Sequence, residues 1–91
     1  MKVIVDEMHD GWDVLLQGLG HEAYSVKKLR SEGKLLGSDF SVITYAKDNA
    51  MVLITSDAES GVACQENDIP CILLDDNEIF KIVVEKLKSL R

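Results

Sequence analysis

The sequence predicts an α/β domain: a parallel sheet with helices on both faces. Three observations carry that prediction. Short, continuous apolar runs ("VIV" at 3–5, "VLIT" at 52–55, "CILL" at 71–74) have the length and branching of strands buried on both faces. Between them, apolar residues recur at the three- and four-residue spacing of amphipathic helices. The two patterns alternate along the chain, which is the signature of right-handed crossovers within one parallel sheet.

Each element has its own warrant. Residues 3–6 form the first apolar run and end in aspartate. Trp12, Leu15, Leu16 and Leu19 then fall on one helical stripe, which places Trp12 in the core. Asp10 is positioned to cap that helix, and Gly20 to end it in a left-handed conformation. Residues 23–26 read as a shorter strand. The charged, glycine-bearing "KKLRSEGKLLGSD" predicts a loop with at most one helical turn. Ser38 is a good N-cap, and Phe40, Ile43 and Ala46 predict two to three helical turns broken by "KDN". Residues 50–55 are the third and most apolar strand. "AESGVACQEN" predicts a short helix weakened by Gly61, with Asn67, Asp68 and Pro70 in the turn after it. Residues 71–74 give a fourth strand. Ile79, Phe80, Val83, Val84, Leu87 and Leu90 mark a closing amphipathic helix with Lys81, Glu85, Lys86 and Lys88 outside.

Length and composition narrow the class. Ninety-one residues suffice for one modest core and not two. No apolar run approaches the roughly 20 residues that span a bilayer. Val3, Ile4 and Val5 run straight into Asp6 and Glu7, so there is no signal-peptide core, and the expected compartment is the cytoplasm. Cys64 and Cys71 lack metal-ligand spacing and are too few for a disulfide framework, which predicts buried free thiols. Sixteen acids against ten bases exclude a protein that coats nucleic acid nonspecifically, though not one with a local basic patch.

The chain finishes two strands with aspartate: "MKVIVD" at Asp6 and "VLITSD" at Asp57. In a parallel α/β sheet, ligands bind beyond the carboxyl ends of the strands, so both acids belong to the ligand edge. Glu59 is tied to the same edge. Glu7 points away from its neighbour Asp6, leaving one natural ligand of the two. Asp39 opens the helix that returns to the third strand. That helix is expected to start at the amino edge unless the 27–38 loop carries it over the sheet, so spacing leaves Asp39 open. Carboxylates clustered without histidine or thiolate form a site for a hard cation such as Mg²⁺ or Mn²⁺. Each acid also has an ordinary explanation, as a polar strand exit or as an acid at the favourable end of a helix dipole.

Taken in order, "MKVIVDE", "LGHEAYSV", "SDFSVITYAKDNAMVLITSDAE" and "IPCILL" resemble the short PIN-like proteins, small stand-alone relatives of the PIN-domain nucleases. The resemblance covers nearly the whole chain, through the order and spacing of motifs rather than any one strong motif. It implies a three-layer α/β/α PIN-like fold on a central, mostly parallel sheet of about four strands. It also implies metal-dependent cleavage of RNA at a carboxylate-bound Mg²⁺ or Mn²⁺ site. Asp6, Asp39 and Asp57 match the family's acidic positions and would hold the metal. Glu59 takes the second acidic place, as an outer ligand that orients water. The family's usual Asp-x-Asp-Phe is here "DAES", which puts Ser60 where the aromatic belongs. The resemblance further implies single-stranded or structured RNA as substrate and an antitoxin-like protein as a candidate partner, and leaves room for a homodimer.

Other residues stand out. Lys27, Lys28, Arg30 and Lys34 read either as a phosphate-contacting rim beside the acids or as a solvated loop. His9 lies just past the first acidic edge, while His21, after Gly20, reads as structural. Thr55 and Ser56 could fix a carboxylate or bond loop backbone. Leu35 and Leu36 sit in a polar loop, fit to pack under a lid or face a partner. Two alternatives remain: a catalytically idle PIN-like module that binds a protein or RNA, and a receiver-like phospho-acceptor domain. The receiver shares the acid pair after strand one and the aspartate after strand three. It needs a later lysine after a fifth strand, and "DDNEIF" supplies none.

Overall fold

A computed structural model describes residues 1–90. The elements are β1 (Lys2–Val5), a 3₁₀ turn (Glu7–His9), α1 (Trp12–Gly18), β2 (Glu22–Ser25), α2 (Val26–Ser31), α3 (Asp39–Asp48), β3 (Val52–Thr55), α4 (Ala58–Glu66), β4 (Cys71–Leu73) and α5 (Asp76–Ser89). The four strands form one all-parallel sheet in the order β2-β1-β3-β4. The α/β class and the parallel sheet of four strands are as the sequence predicts.

Register sorts the side chains onto two faces. Ile4 pairs with Leu53, and Leu53 with Cys71. This row joins Val26 and Leu29 of α2, Val42, Ile43 and Ala46 of α3, and Cys64 of α4 in the larger core. The alternate row, Val3, Val5, Ala23 and Ile54, packs with Leu16 of α1 and with Leu74. Helices therefore lie on both faces, three on one and α1 on the other. α4 approaches β4 closely at Gly61, where a β-carbon would meet the end of the Leu73 side chain at 3.0 Å and that side chain would have to shift.

Several expectations are corrected. Of the α1 stripe only Leu16 faces the core. Trp12, Leu15 and Leu19 are exposed, and the one buried residue of α1 is Asp13. Asp13 receives the Lys28 ammonium at 2.7 Å and the Gly11 amide at 3.0 Å. This anchored ion pair, rather than the apolar period, sets how the seven-residue helix is turned. Gly11 (φ 103°) is the N-cap of α1, in place of Asp10. Asp10 instead accepts from the Ser25 hydroxyl, and Ser25 caps α2 by accepting from Lys28 N at 3.3 Å.

That cap explains a second correction. The first part of the 27–38 segment is helix α2, which follows β2 without a break and buries Val26 and Leu29. The Ser38 cap holds, strengthened by a reciprocal bond with Ser41. Gly20 is left-handed as expected, at φ 93°. The largest departure is α5. It is strongly amphipathic, yet none of its residues is buried. The radius of gyration, 14.5 Å, exceeds the roughly 12 Å of a compact chain this long, because this helix leaves the body of the sheet.

Candidate active site

The sheet's topology fixes where the acids meet. From β1 the chain moves outward to β2, then crosses back to β3 on the other side and continues to β4. The strand order thus reverses between β1 and β3. The loops after these two strands depart to opposite faces, one into α1 and the other into α4. In sheets of this kind ligands bind at this point of the carboxyl edge. Asp6 is the first residue after β1, and Asp57 follows β3 by two. The strands are hydrogen-bonded neighbours, and the Asp6 amide continues the ladder to the Ile54 carbonyl at 3.0 Å.

One buried hydroxyl ties the two acids together. Thr55 Oγ1 donates to Asp6 Oδ2 at 2.7 Å and accepts from the Asp57 amide at 3.1 Å. Thr55 is fully buried, so the geometry of this bridge is set by the end of β3 itself. The other Asp6 oxygen accepts from the Glu7 amide at 2.8 Å. Asp57 caps α4: Oδ1 accepts from the Glu59 amide at 3.2 Å, and Oδ2 accepts from Ser60 Oγ at 3.0 Å. Both carboxylates are oriented, and each oxygen retains a lone pair, since a carboxylate accepts about four bonds.

Asp39 joins them. Asp39 is solvent-exposed, yet partial desolvation raises its pKa, and so do the negative charges of Asp57, Asp6 and Glu59. All three acids are therefore close enough to oppose its ionisation. The expectation of an amino-edge start for α3 had the geometry reversed. A helix running antiparallel to its strands begins at their carboxyl edge and returns to the amino edge, so Asp39, the first residue of α3, begins beside Asp57. Glu59 is exposed at the rim of the same edge. Among the described residues, no three Asp, Glu, His or Cys side chains are set close enough to form a ready-made cage around one ion.

The surroundings divide the basic residues. Arg30 Nε donates to the Leu36 carbonyl at 3.0 Å, and its Nη1 pairs with Glu7, so this side chain clamps α2 and the following loop to the β1 exit. Lys28 is committed to Asp13 at 2.7 Å. Lys27 is exposed, and Lys34 stands at the mouth of a groove with Leu35, Phe40 and Tyr45. Leu36 is buried in the larger core, while Leu35 is almost wholly exposed.

His9 Nε2 and Ser56 Oγ are 2.6 Å apart, bridging the residues just past β1 to those just past β3. The His9 ring lies against Trp12, with centroids 4.3 Å apart. His21 precedes β2, at the amino edge, on the far side of the sheet from the acids. Cys64 is buried and free; burial, with Cys71 nearby, pushes its thiol up to about 12, which leaves it unreactive.

Two supporting residues were hard to single out beforehand. Thr55 had an equally ordinary use in bonding loop backbone, and it serves both ends at once. Ser60 stood out only as a departure from an aromatic. Its spacing held the signal: an acid at the N-cap with a hydroxyl three residues on is a capping arrangement, and here it orients the acid. Compared with known protein families, with curated proteins and with solved structures, the chain matches none. The functional reading rests on the site's own geometry.

Proposed function

We propose that the protein is a PIN-like, divalent-cation-dependent ribonuclease whose site is Asp6, Asp39 and Asp57, with Glu59 at its rim. The observation that carries the proposal is the juxtaposition of Asp6 and Asp57, which follow neighbouring strands at the sheet's switch point and are joined through Thr55, with Asp39 opening α3 at the same edge; the upward pKa of Asp39 beside these acids supports it. An acid held against three others is costly, and a cation relieves that cost.

The donor set fits such an ion. It is all carboxylate oxygen, the preference of Mg²⁺ and Mn²⁺, and these ions bind through one or two carboxylates while keeping several waters. Asp6 and Asp57 are oriented with lone pairs to spare, so these two would hold the ion, and Asp39 would reach it through the waters it keeps. When bound, the ion would supply charge stabilisation at a phosphodiester and a nucleophile at neutral pH. The chain's own contribution is positioning. Thr55 locks Asp6 to Asp57, Ser60 and the Glu59 amide aim Asp57, and Arg30 holds the β1 exit through Glu7. Lys27 and Lys34 are the bases free to meet phosphate, because Lys28 and Arg30 have partners within the chain.

The receiver-like alternative shares the strand order. Its lysine has no counterpart here, since after β4 the described chain enters α5 and leaves the sheet. The test of the shared site is thermal melting with Mn²⁺. Binding only to the folded chain, at 100 times the dissociation constant, adds about 2.7 kcal/mol. The wild-type midpoint should therefore rise by on the order of 10–20 °C for a domain this small. Asp57→Asn should show no rise. No rise for wild type, or an equal rise for the variant, refutes the shared site.

A further inference from the structure

The molecule carries two unpartnered apolar surfaces, and each has the form the other needs. The first is α5. Ile79, Phe80, Val83 and Leu87 make one stripe along 14 residues, and they stand 43–67% exposed. An isolated amphipathic helix of that length is marginal in water; it holds its form by packing its stripe. The second surface is the sheet face that carries α1. On β1, β2 and β3 that face is buried, with Val3, Val5, Ala23 and Ile54 at most 7% exposed beside Leu16 of α1 and Leu74, so the apolar surface left open lies along β4. Ile72 of β4 pairs in register with Ile54 and points to this same face, yet it is half exposed. The opposite face of the same strands is covered by α2, α3 and α4.

We infer that α5 packs on this open face of a second copy of the chain, in a reciprocal exchange that makes a two-fold dimer. The connection between β4 and α5 favours the partner over the chain's own sheet. Only Leu74 and Asp75 separate them; Leu74 is already packed against the sheet and Asp75 caps α5 through the Asn77 amide. With both linker residues fixed, α5 is directed outward, and a short hinge of this kind is the setting in which an element is exchanged between copies. Each copy offers one stripe and one receiving surface, so a reciprocal exchange satisfies both surfaces at two copies.

Size is consistent with a stable pair. At roughly 100 Å² for each stripe side chain, the eight in two copies lose about 800 Å² and the surfaces receiving them about as much, on the order of 1,600 Å², the standard size of a specific interface. Charge does not oppose the fit. Lys81, Lys86 and Lys88 lie off the stripe, on a chain with net charge −6.

The experiment is molar mass by light scattering during gel filtration, on the whole chain at micromolar concentration. Wild type should run at twice the 10.1 kDa chain mass. Val83→Glu on the stripe and Ile72→Glu on the receiving face should each halve it. Both residues are substantially exposed, so an unchanged far-UV spectrum shows that folding survives. Four glycine or serine residues inserted between Leu74 and Asp75 should also give a monomer, by letting α5 return to its own sheet. A wild-type monomer overturns the inference, and so does a dimer that persists in Ile72→Glu, which would place the contact elsewhere.

Discussion

Replacing Thr55 with valine isolates the hydroxyl that joins Asp6 to Asp57, because the two side chains have nearly the same shape. The substitution removes a hydrogen bond to a carboxylate, a class that contributes about 1.5–3 kcal/mol. It also strands the Asp57 amide, which loses its partner 3.1 Å away. The added methyl returns part of this through greater apolar burial, at about 0.8 kcal/mol for a buried carbon. The net loss is about 2–3 kcal/mol, a fall in melting midpoint on the order of 10–20 °C. Thr55→Ser is the control. It keeps the hydroxyl and loses one buried methyl, which costs on the order of 1 kcal/mol. Denaturant melts of the three proteins, compared at constant slope, give the numbers. If valine is no worse than serine, the hydroxyl does not organise the acids and the bridge loses its assigned role.

Asp39→Asn should stabilise the metal-free protein at neutral pH. Since the folded state raises this carboxyl's pKa, its protonated form favours folding, and that contribution is lost as pH rises through the folded pKa. The gain from asparagine should therefore grow from acid to neutral pH in paired urea melts, and a gain that does not change with pH would contradict the clustering. Asp13 behaves in the opposite sense. Burial works against its ionisation, but Lys28 and the Gly11 amide outweigh it and leave the pKa lowered. Its contribution is full above the ordinary aspartate range and disappears as pH falls through the folded value. Lys28→Ala should thus lower the melting midpoint at neutral pH and hardly at all in strong acid. For RNA binding, Lys27→Ala with Lys34→Ala should flatten the log–log salt dependence by about 1.4, at roughly 0.7 per phosphate contact on a single strand. An unchanged slope leaves these bases as solvated surface.

Much of this is legible in the sequence. The apolar runs fixed the strands because a parallel sheet buries both faces, and two of them ended in acids that proved to be neighbours across the switch point. What misled was periodicity in short helices. In α1 the stripe of Trp12, Leu15 and Leu19 was outweighed by one buried carboxylate, whose partner Lys28 lies fifteen residues away. No local pattern announces such a pairing. The basic stretch stays open between a rim and a solvated loop in the sequence because composition does not show partners, and Lys28 and Arg30 have theirs inside the fold. In α5 the amphipathic pattern was right and its packing within the chain was not, since a hydrophobic stripe specifies that something covers it but not from which molecule. Spacing leaves Asp39 open because it does not itself show that a helix antiparallel to its strands starts at their carboxyl edge.

The central claim is that Asp6, Asp39 and Asp57 act as one site on RNA, and cleavage of single-stranded RNA in Mn²⁺ tests it most directly. The account predicts cleavage by wild type that EDTA stops, and none by Asp6→Asn or Asp57→Asn at an unchanged far-UV spectrum. Glu59→Gln should slow it by about 10- to 100-fold, as loss of an outer group does. Wild type that cuts no RNA in Mg²⁺ or Mn²⁺, or Asp57→Asn that cuts as well as wild type, contradicts the account and leaves the site to an idle binding module.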